Sequence, residues 1–385
     1  MTLSRQIAIA GVFEHPTRWA PDKTEFQIMA ESARGALEDC GLELRDVDGL
    51  FAAGMSMGPM GVVSLAEYLN LKPRFLDGTN IGGSSFVAHV SHAAAAIHAG
   101  LCEVALILYG STAASNALAI GTGMGGGRDA GASFVSPYGL TTVGSYALVA
   151  QRHINAYGTT SEQLAEIAVA MRRHAALNPN AKMRKPISVA DVLESRVISR
   201  PLHLLDCCII SDGGGAVIVT SAERARDLRK PVVALLGCGE AVCHQEVGAP
   251  DLLTIAAKQS GAQAFRMAGV SHDDIDLCMI YDSFTITVLV TLENLGFCKP
   301  GEGGAFVSGG RIGLGGALPL NPDGGGLSSN HPGMRGIFLV IEAAKQLRRE
   351  CGERQVAGAE VALVHGTGGT LGVAHSGATL VLARS

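Results

Sequence analysis

The feature that most narrows the folds open to this chain is an internal repeat. Ala36-Leu37, Gly41-Leu42 and Asp46-Val47-Asp48 recur as Ala264-Phe265, Gly269-Val270 and Asp274-Ile275-Asp276, all at one constant offset. Each copy reads as an amphipathic helix stopped by glycine, then an acidic turn, then an apolar strand. The strands are predicted at 47–53 and 275–281. A second match follows in the same order: Glu103-Val-Ala-Leu106 and Glu360-Val-Ala-Leu363 each begin a strand after an alanine-rich helical pattern. Strands that are apolar on both faces belong in a parallel sheet covered by helices, so the chain reads as a duplicated α/β protein.

With 385 residues there is room for two such halves and an insertion. The halves are predicted at 1–110, completed by 202–228, and at 229–385. Between them, 111–201 has a different character. It opens on Gly121, Gly123, Gly125, Gly126, Gly127 and Gly131 and gathers Arg172, Arg173, Lys182, Arg184 and Lys185. A strand at 209–219 is expected to close the first half.

Apolar residues make up 47% of the chain and charged residues 17%, enough for a large core and unlike a disordered segment. The net charge of −5 provides no general basic field, so no nucleic-acid partner is expected. Nine cysteines, an odd number with no C-x-x-C pair, read as small core residues in a reducing cytoplasm. The longest apolar stretch, 93–110, is broken by His98 and Glu103, and no signal peptide is evident, so no membrane span is expected.

Two motifs carry less than their letters suggest. Gly121-Thr-Gly-Met-Gly-Gly126 lies deep in the chain within a glycine run, whereas a dinucleotide fingerprint joins a first strand to its helix. His89 and His92 stand three apart without a companion ligand cluster, and Cys243-His244 is isolated. Neither a nicotinamide cofactor nor a metal is expected.

Three polar segments at strand or helix ends are more informative. Tyr281-Asp-Ser-Phe284 and His365-Gly-Thr-Gly-Gly369 follow the repeated strands, where ligands of such sheets gather. The glycine-crowded stretch 309–326 leads into Leu327-Ser-Ser-Asn-His331-Pro-Gly-Met-Arg-Gly336, followed by a helix predicted at 337–348. His331 thus stands before a helix N-terminus, where it either caps the loop or donates to a developing oxyanion.

These segments, in this order, resemble the thiolase superfamily, in particular its sterol-carrier-protein branch. The matches are Asn321 through Gly325, Asn330-His331-Pro332 with Gly336, and Gly366-Thr-Gly-Gly369. The resemblance implies a thiolase fold, with duplicated βαβαβ halves in a layered α-β-α-β-α core and an inserted loop domain. It also implies a homodimer formed through the first-half sheet edge and an acyl-CoA substrate. Coenzyme A would enter as part of that substrate, with no tightly bound cofactor. The basic residues of the insertion are candidates to hold its phosphates.

His331 matches the family's catalytic histidine, but the two catalytic cysteines have no counterpart. Their positions fall at about Gly82, within Thr79-Asn-Ile-Gly-Gly-Ser-Ser-Phe86, and at about Gly366. Ser84 or Ser85 would need a nearby base to replace the first of them. Tyr281 stands where thiolases carry asparagine or histidine, and Tyr281-Asp-Ser-Phe-Thr-Ile-Thr resembles the cysteine-less aldolases of steroid side-chain degradation. Those cleave a β-hydroxyacyl-CoA by retro-aldol reaction beside a small OB-fold partner carrying a zinc ribbon.

On that resemblance Tyr281 transfers the proton, with its phenol pKa lowered or bypassed by a relay. His331 and backbone N–H groups near Gly82 hold the enolate oxygen. Ser283 positions a water, Asp282 fixes its loop, and Gly366 and Gly368 contribute to substrate binding. The competing readings are an acetyl-CoA acyltransferase and a non-catalytic CoA-ester-binding subunit.

Overall fold

The computed structural model describes residues 3–117, 141–243, 251–371 and 373–385. The glycine run at 121–131 and His244 lie outside these residues. The first half runs through β1 (Ile7–Glu14), α1 (Glu25–Cys40), β2 (Gly49–Ala52), β3 (Phe75–Asp77), α2 (Ser85–His98) and β4 (Val104–Ser111). Two helices of the intervening segment follow, α3 (Thr142–Tyr157) and α4 (Ser161–Leu177), before β5 (Gly213–Ser221). The second half runs through β6 (Val233–Cys243), α5 (Ala257–Ala268), β7 (Leu277–Ile280), α6 (Thr285–Leu295), α7 (Gly336–Leu347), β8 (Val361–Thr370) and β9 (Val373–Arg384).

Local chemistry explains why the repeat folds alike twice. Helix α1 is opened by a Thr24–Gln27 capping box and ended by Gly41 at φ +80°, and α5 ends on Gly269 at φ +68°. Both stops use the left-handed region that glycine enters without steric cost. Asp48 then accepts from the amides of Glu103 and Val104, each at 2.8 Å. Its counterpart Asp276 accepts from those of Glu360 and Val361, again at 2.8 Å. One carboxylate per half therefore pins the start of the neighbouring strand.

Among the described residues the strands join in the order β3-β2-β4-β5-β1-β6-β9-β8-β7. At the centre, β1 and β6 share two residue pairs, Ala8 with Ala234 and Ile9 with Val233. Read outward from that seam, the two sides correspond strand for strand. The counterpart of β3 on the second side is Leu320, which bridges Cys278 of β7 in parallel. The sheet is mixed, not wholly parallel. The repeated strands β2 with β4 and β7 with β8 pair in parallel, while β5 and β9 run antiparallel to their neighbours. The strand expected at 209–219 begins at Gly213, after a loop that approaches the site.

Helices α2 and α7 lie between the two sides, where Phe86, Val87 and Val90 share a core with Phe338, Val340 and Ile341. Helix α1 covers one outer face through Met29, Ala33 and Leu37. Helices α3 to α6 cover the other, over Leu363 and Val381. The layering is α-β-α-β-α. Each buried leucine or isoleucine contributes about 1.5–3 kcal/mol by leaving water, and the inner layer is apolar on both sides.

Candidate active site

Four segments meet at the carboxyl ends of β7 and β8, around a cavity of about 380 Å³. Its wall includes Asn80, Gly82 and Gly83 before α2, Tyr281 and Ser283 after β7, His331 and Gly333 before α7, and Thr367 and Gly369 in β8. Tyr146 of α3 and Cys208 complete it on the side of the intervening segment.

The Tyr281 hydroxyl lies 3.0 Å from His331 Nε2, with the two rings edge to face. Gly333 O stands farther off, at 3.5 Å. Both side chains are buried, at 4% exposure each. Burial pushes the Tyr281 phenol well above its usual range, so the expected lowering does not occur and only the relay remains. Burial, assisted by the nearby Arg335 cation, pushes His331 down to about 4. The imidazole is therefore neutral near pH 7, and its Nδ1 has no hydrogen-bond partner among the described residues.

The loop bearing His331 is held from three sides. Tyr109 of β4 donates to Pro332 O at 2.5 Å and accepts from the Met334 amide at 3.0 Å. The His331 amide donates to Ser211 Oγ at 3.0 Å. Arg335 is fully buried and donates to Asn330 Oδ1 at 2.6 Å and Asp323 Oδ2 at 2.5 Å. Asp282 lies 3.4 Å from Arg335 Nε and accepts from the amides of Gly326 and Leu327 at 2.7 and 3.1 Å. It fixes the loop, as its sequence context implies, and burial pushes its carboxyl up to about 6. Asn321 serves as a strand substitute: its amide accepts from Ile280 N and donates to Ile280 O, at 2.8 and 2.7 Å, just before Tyr281.

The space expected for a nucleophile is taken. Gly82 sits at φ +71°, and a Cβ there would lie 2.8 Å from Gly369 N. A Cβ on Gly83 would come within 2.2 Å of Tyr281 Cε2. The Tyr281 ring thus fills the volume that a side chain at 83 would need. The serine substitutes are occupied as well. Ser84 Oγ donates to Ile81 O at 2.9 Å, and Ser85 Oγ donates to Gly82 O at 2.7 Å.

Gly82, Ser283, Tyr281 and His331 all border the cavity, but Gly366 and Gly368 do not. Both lie on the opposite face of β8, where a Cβ would strike Ser84 Cα at 3.0 Å and Ile81 O at 1.7 Å respectively. Their neighbours Thr367 and Gly369 are the lining residues, because strand side chains alternate. Ser283 Oγ is paired with Thr287 Oγ1 at 3.1 Å. Arg172 leaves the set of phosphate candidates: it is buried and donates to Ser328 Oγ at 2.8 Å and Lys185 O at 3.1 Å. Asn80 and Thr367 stood inside quoted motifs without being singled out. Tyr146 had no sequence signal, since its helix joins the site only through tertiary packing.

A thiolase-type layered core with a tyrosine–histidine pair in place of a thiolate defines the class, and comparison with known proteins agrees: the chain belongs to the thiolase superfamily. Residues 239–384 match the Thiolase C-terminal domain-like family. The chain is 35% identical to the steroid side-chain-cleaving aldolase of Thermomonospora curvata, over 89% of this chain and 90% of that protein. It is 36% identical to the 17-hydroxy-3-oxo-4-pregnene-20-carboxyl-CoA lyase of Mycobacterium tuberculosis, over 98% of this chain and all (100%) of that protein. An acetyl-CoA acetyltransferase of Methanothermobacter thermautotrophicus is 33% identical over 96% of this chain and 98% of its own length. Among solved structures, the Ltp2-ChsH2(DUF35) aldolase superposes with TM-score 0.88 at 33% identity, covering 99% of this chain and 98% of that one.

Proposed function

We propose that the chain is a carbon–carbon lyase that cleaves a β-hydroxyacyl-CoA thioester by retro-aldol reaction, with a steroid or similarly bulky group on the β-carbon. The observation that carries this reading is the 3.0 Å contact between Tyr281 and His331, where Gly82 and Gly83 exclude a nucleophile. Retro-aldol cleavage needs a base for the β-hydroxyl and stabilisation of the enolate, and no covalent intermediate.

A phenol this far above neutral pH acts by passing its own proton on. Tyr281 donates to His331 Nε2 while its oxygen takes the proton of the substrate β-hydroxyl. The Cα–Cβ bond then breaks, its electron pair enters the thioester enolate, and a ketone or aldehyde leaves. Backbone N–H groups around Gly82 and Gly83, at the start of α2, are assigned to the enolate oxygen. In the resting state His331 Nε2 is engaged by Tyr281, which favours the relay over a direct contact with that oxygen. Ser283 is assigned to a water or substrate oxygen beside Tyr281. Coenzyme A belongs to the substrate, and the exposed Arg173, Lys182, Arg184 and Lys185 are candidates for its phosphates.

The domain division at 1–110 with 202–228, 111–201 and 229–385 fits the order of the elements. A homodimer through the β3 edge is supported by exposed Met60, Val63, Tyr68 and Leu76 around that strand. A small OB-fold, zinc-ribbon partner is supported by the similar Ltp2-ChsH2(DUF35) aldolase, whose name joins two proteins. Nine unpaired cysteines fit a cytoplasmic setting. The test is a panel of β-hydroxyacyl-CoA esters, offered with and without such a partner. A released ketone or aldehyde and a shortened acyl-CoA are expected, and no carbonyl product in any combination would contradict the reading.

A further inference from the structure

Cleavage in the sense proposed above leaves an enolate whose α-carbon must still gain a proton. We propose that Tyr146 delivers it, as a second catalytic residue lining the same cavity as Tyr281; the inference rests on the lyase reading.

The two tyrosines reach one cavity from different layers. Tyr281 follows β7 and packs in the core between the two sides of the sheet. Tyr146 comes from α3 and packs in the outer cluster with Phe284 and Leu371. Both line the same space of about 380 Å³. At the moment of cleavage the departing carbonyl stands beside Tyr281, where the β-oxygen was bound. With that carbonyl against its hydroxyl, Tyr281 leaves protonation of the α-carbon to a donor on another face.

Tyr146 is suited to that face. Its ring is 3% exposed and lies against Phe284 with centroids 4.3 Å apart, so its direction is fixed. Ser283 and the Leu371 amide are the polar groups acting on its hydroxyl. Burial pushes the phenol up to about 12, so it holds its proton at neutral pH and serves as a donor. The alternative donor Ser283 is paired with Thr287.

The step balances without a further reactant. The β-hydroxyl proton rests on the Tyr281–His331 pair, Cα–Cβ breaks, and the Tyr146 O–H proton forms the new Cα–H bond. The Tyr146 phenolate and protonated His331 that remain are reset by proton exchange with solvent as the products leave.

The test follows deuterium from D2O into the α-carbon of propionyl-CoA, beside cleavage of a β-hydroxyacyl-CoA. Tyr146→Phe keeps the stacked ring and is expected to slow exchange by about 100-fold or more. Tyr281→Phe is expected to slow cleavage by about 100-fold and exchange by less than about 10-fold. In exchange Tyr146 works in reverse, its phenolate removing the α-proton, so replacing it by 3-fluorotyrosine, a more acidic phenol, should move the rise of exchange with pH to lower pH, which a packing role would not do. Exchange in Tyr146→Phe within about 3-fold of the parent, or an equal loss in both variants, would overturn the proposal. If the unaltered protein neither cleaves nor exchanges, the lyase reading itself fails.

Discussion

At the scale of single residues, the site turns on a neutral acid beside a neutral base. Tyr281→Phe removes the hydroxyl but keeps the ring that fills the space over Gly83. It should lower kcat for β-hydroxyacyl-CoA cleavage by about 10²–10⁴-fold and change KM little, as steady-state kinetics would show. A loss confined to KM would make the tyrosine a binding residue only. The pH profile follows from His331, whose pKa is pushed down to about 4. With its neutral form as the proposed proton acceptor, kcat/KM should stay level from pH 8 to 6 and fall only below about pH 5. An acid limb near the ordinary histidine value would contradict the buried relay.

Tyr281 and His331 were legible as candidates because both stand in polar segments at element ends, and the resemblance singled them out, His331 as a match and Tyr281 as a departure. The glycines of β8 were misassigned by one residue, since a strand shows alternate side chains to opposite faces and the motif does not say which. Tyr146 and Cys208 were not legible as lining residues. Their place depends on how the intervening segment folds back over β7.

At the scale of elements, the catalytic loop depends on a strand far from it in sequence. Tyr109 of β4 holds both Pro332 O and the Met334 amide from a fully buried position. Tyr109→Phe leaves these groups without their partner and should cost about 1–3 kcal/mol, measured by chemical denaturation. Activity should fall with it, because His331 is carried on the loop. Unchanged stability would show that the loop finds other partners. The repeat predicted the helices, stops and acidic turns because capping and glycine chemistry are local. It did not predict the antiparallel course of β5 and β9, which depends on where the chain returns and not on the sequence of those strands.

At the scale of the whole molecule, duplication explains both the fold and the placement of the site. Two matching sides of one sheet enclose α2 and α7, and the cavity opens beside the starts of these helices. The free edge of the first side carries Leu76, which is 42% exposed, beside Met60, Val63 and Tyr68. An apolar edge strand of this kind is a pairing surface. Leu76→Asp should therefore shift a dimer toward monomer in sedimentation velocity, and a parent protein that is monomeric at micromolar concentration would contradict the assigned edge. The duplicated α/β halves were legible because the repeat extends along the chain, whereas the layering was implied only by the resemblance to the thiolase superfamily. The joining of the two sides through β1 and β6 was not, since it rests on two residue pairs.

Tyr281 fills the space over Gly83, next to the nucleophile's expected position at about Gly82, and on the proposed reading the site cleaves a carbon–carbon bond without an acyl-enzyme. The most direct measurement is a single turnover of a β-hydroxyacyl-CoA, with the carbonyl product and the intact protein mass followed on the same samples. Carbonyl product and shortened acyl-CoA should appear together while the protein mass stays unchanged, and Tyr281→Phe should slow both by about 10²–10⁴-fold. An acyl adduct on the protein, or product formation in Tyr281→Phe within about 3-fold of the parent rate, would contradict it.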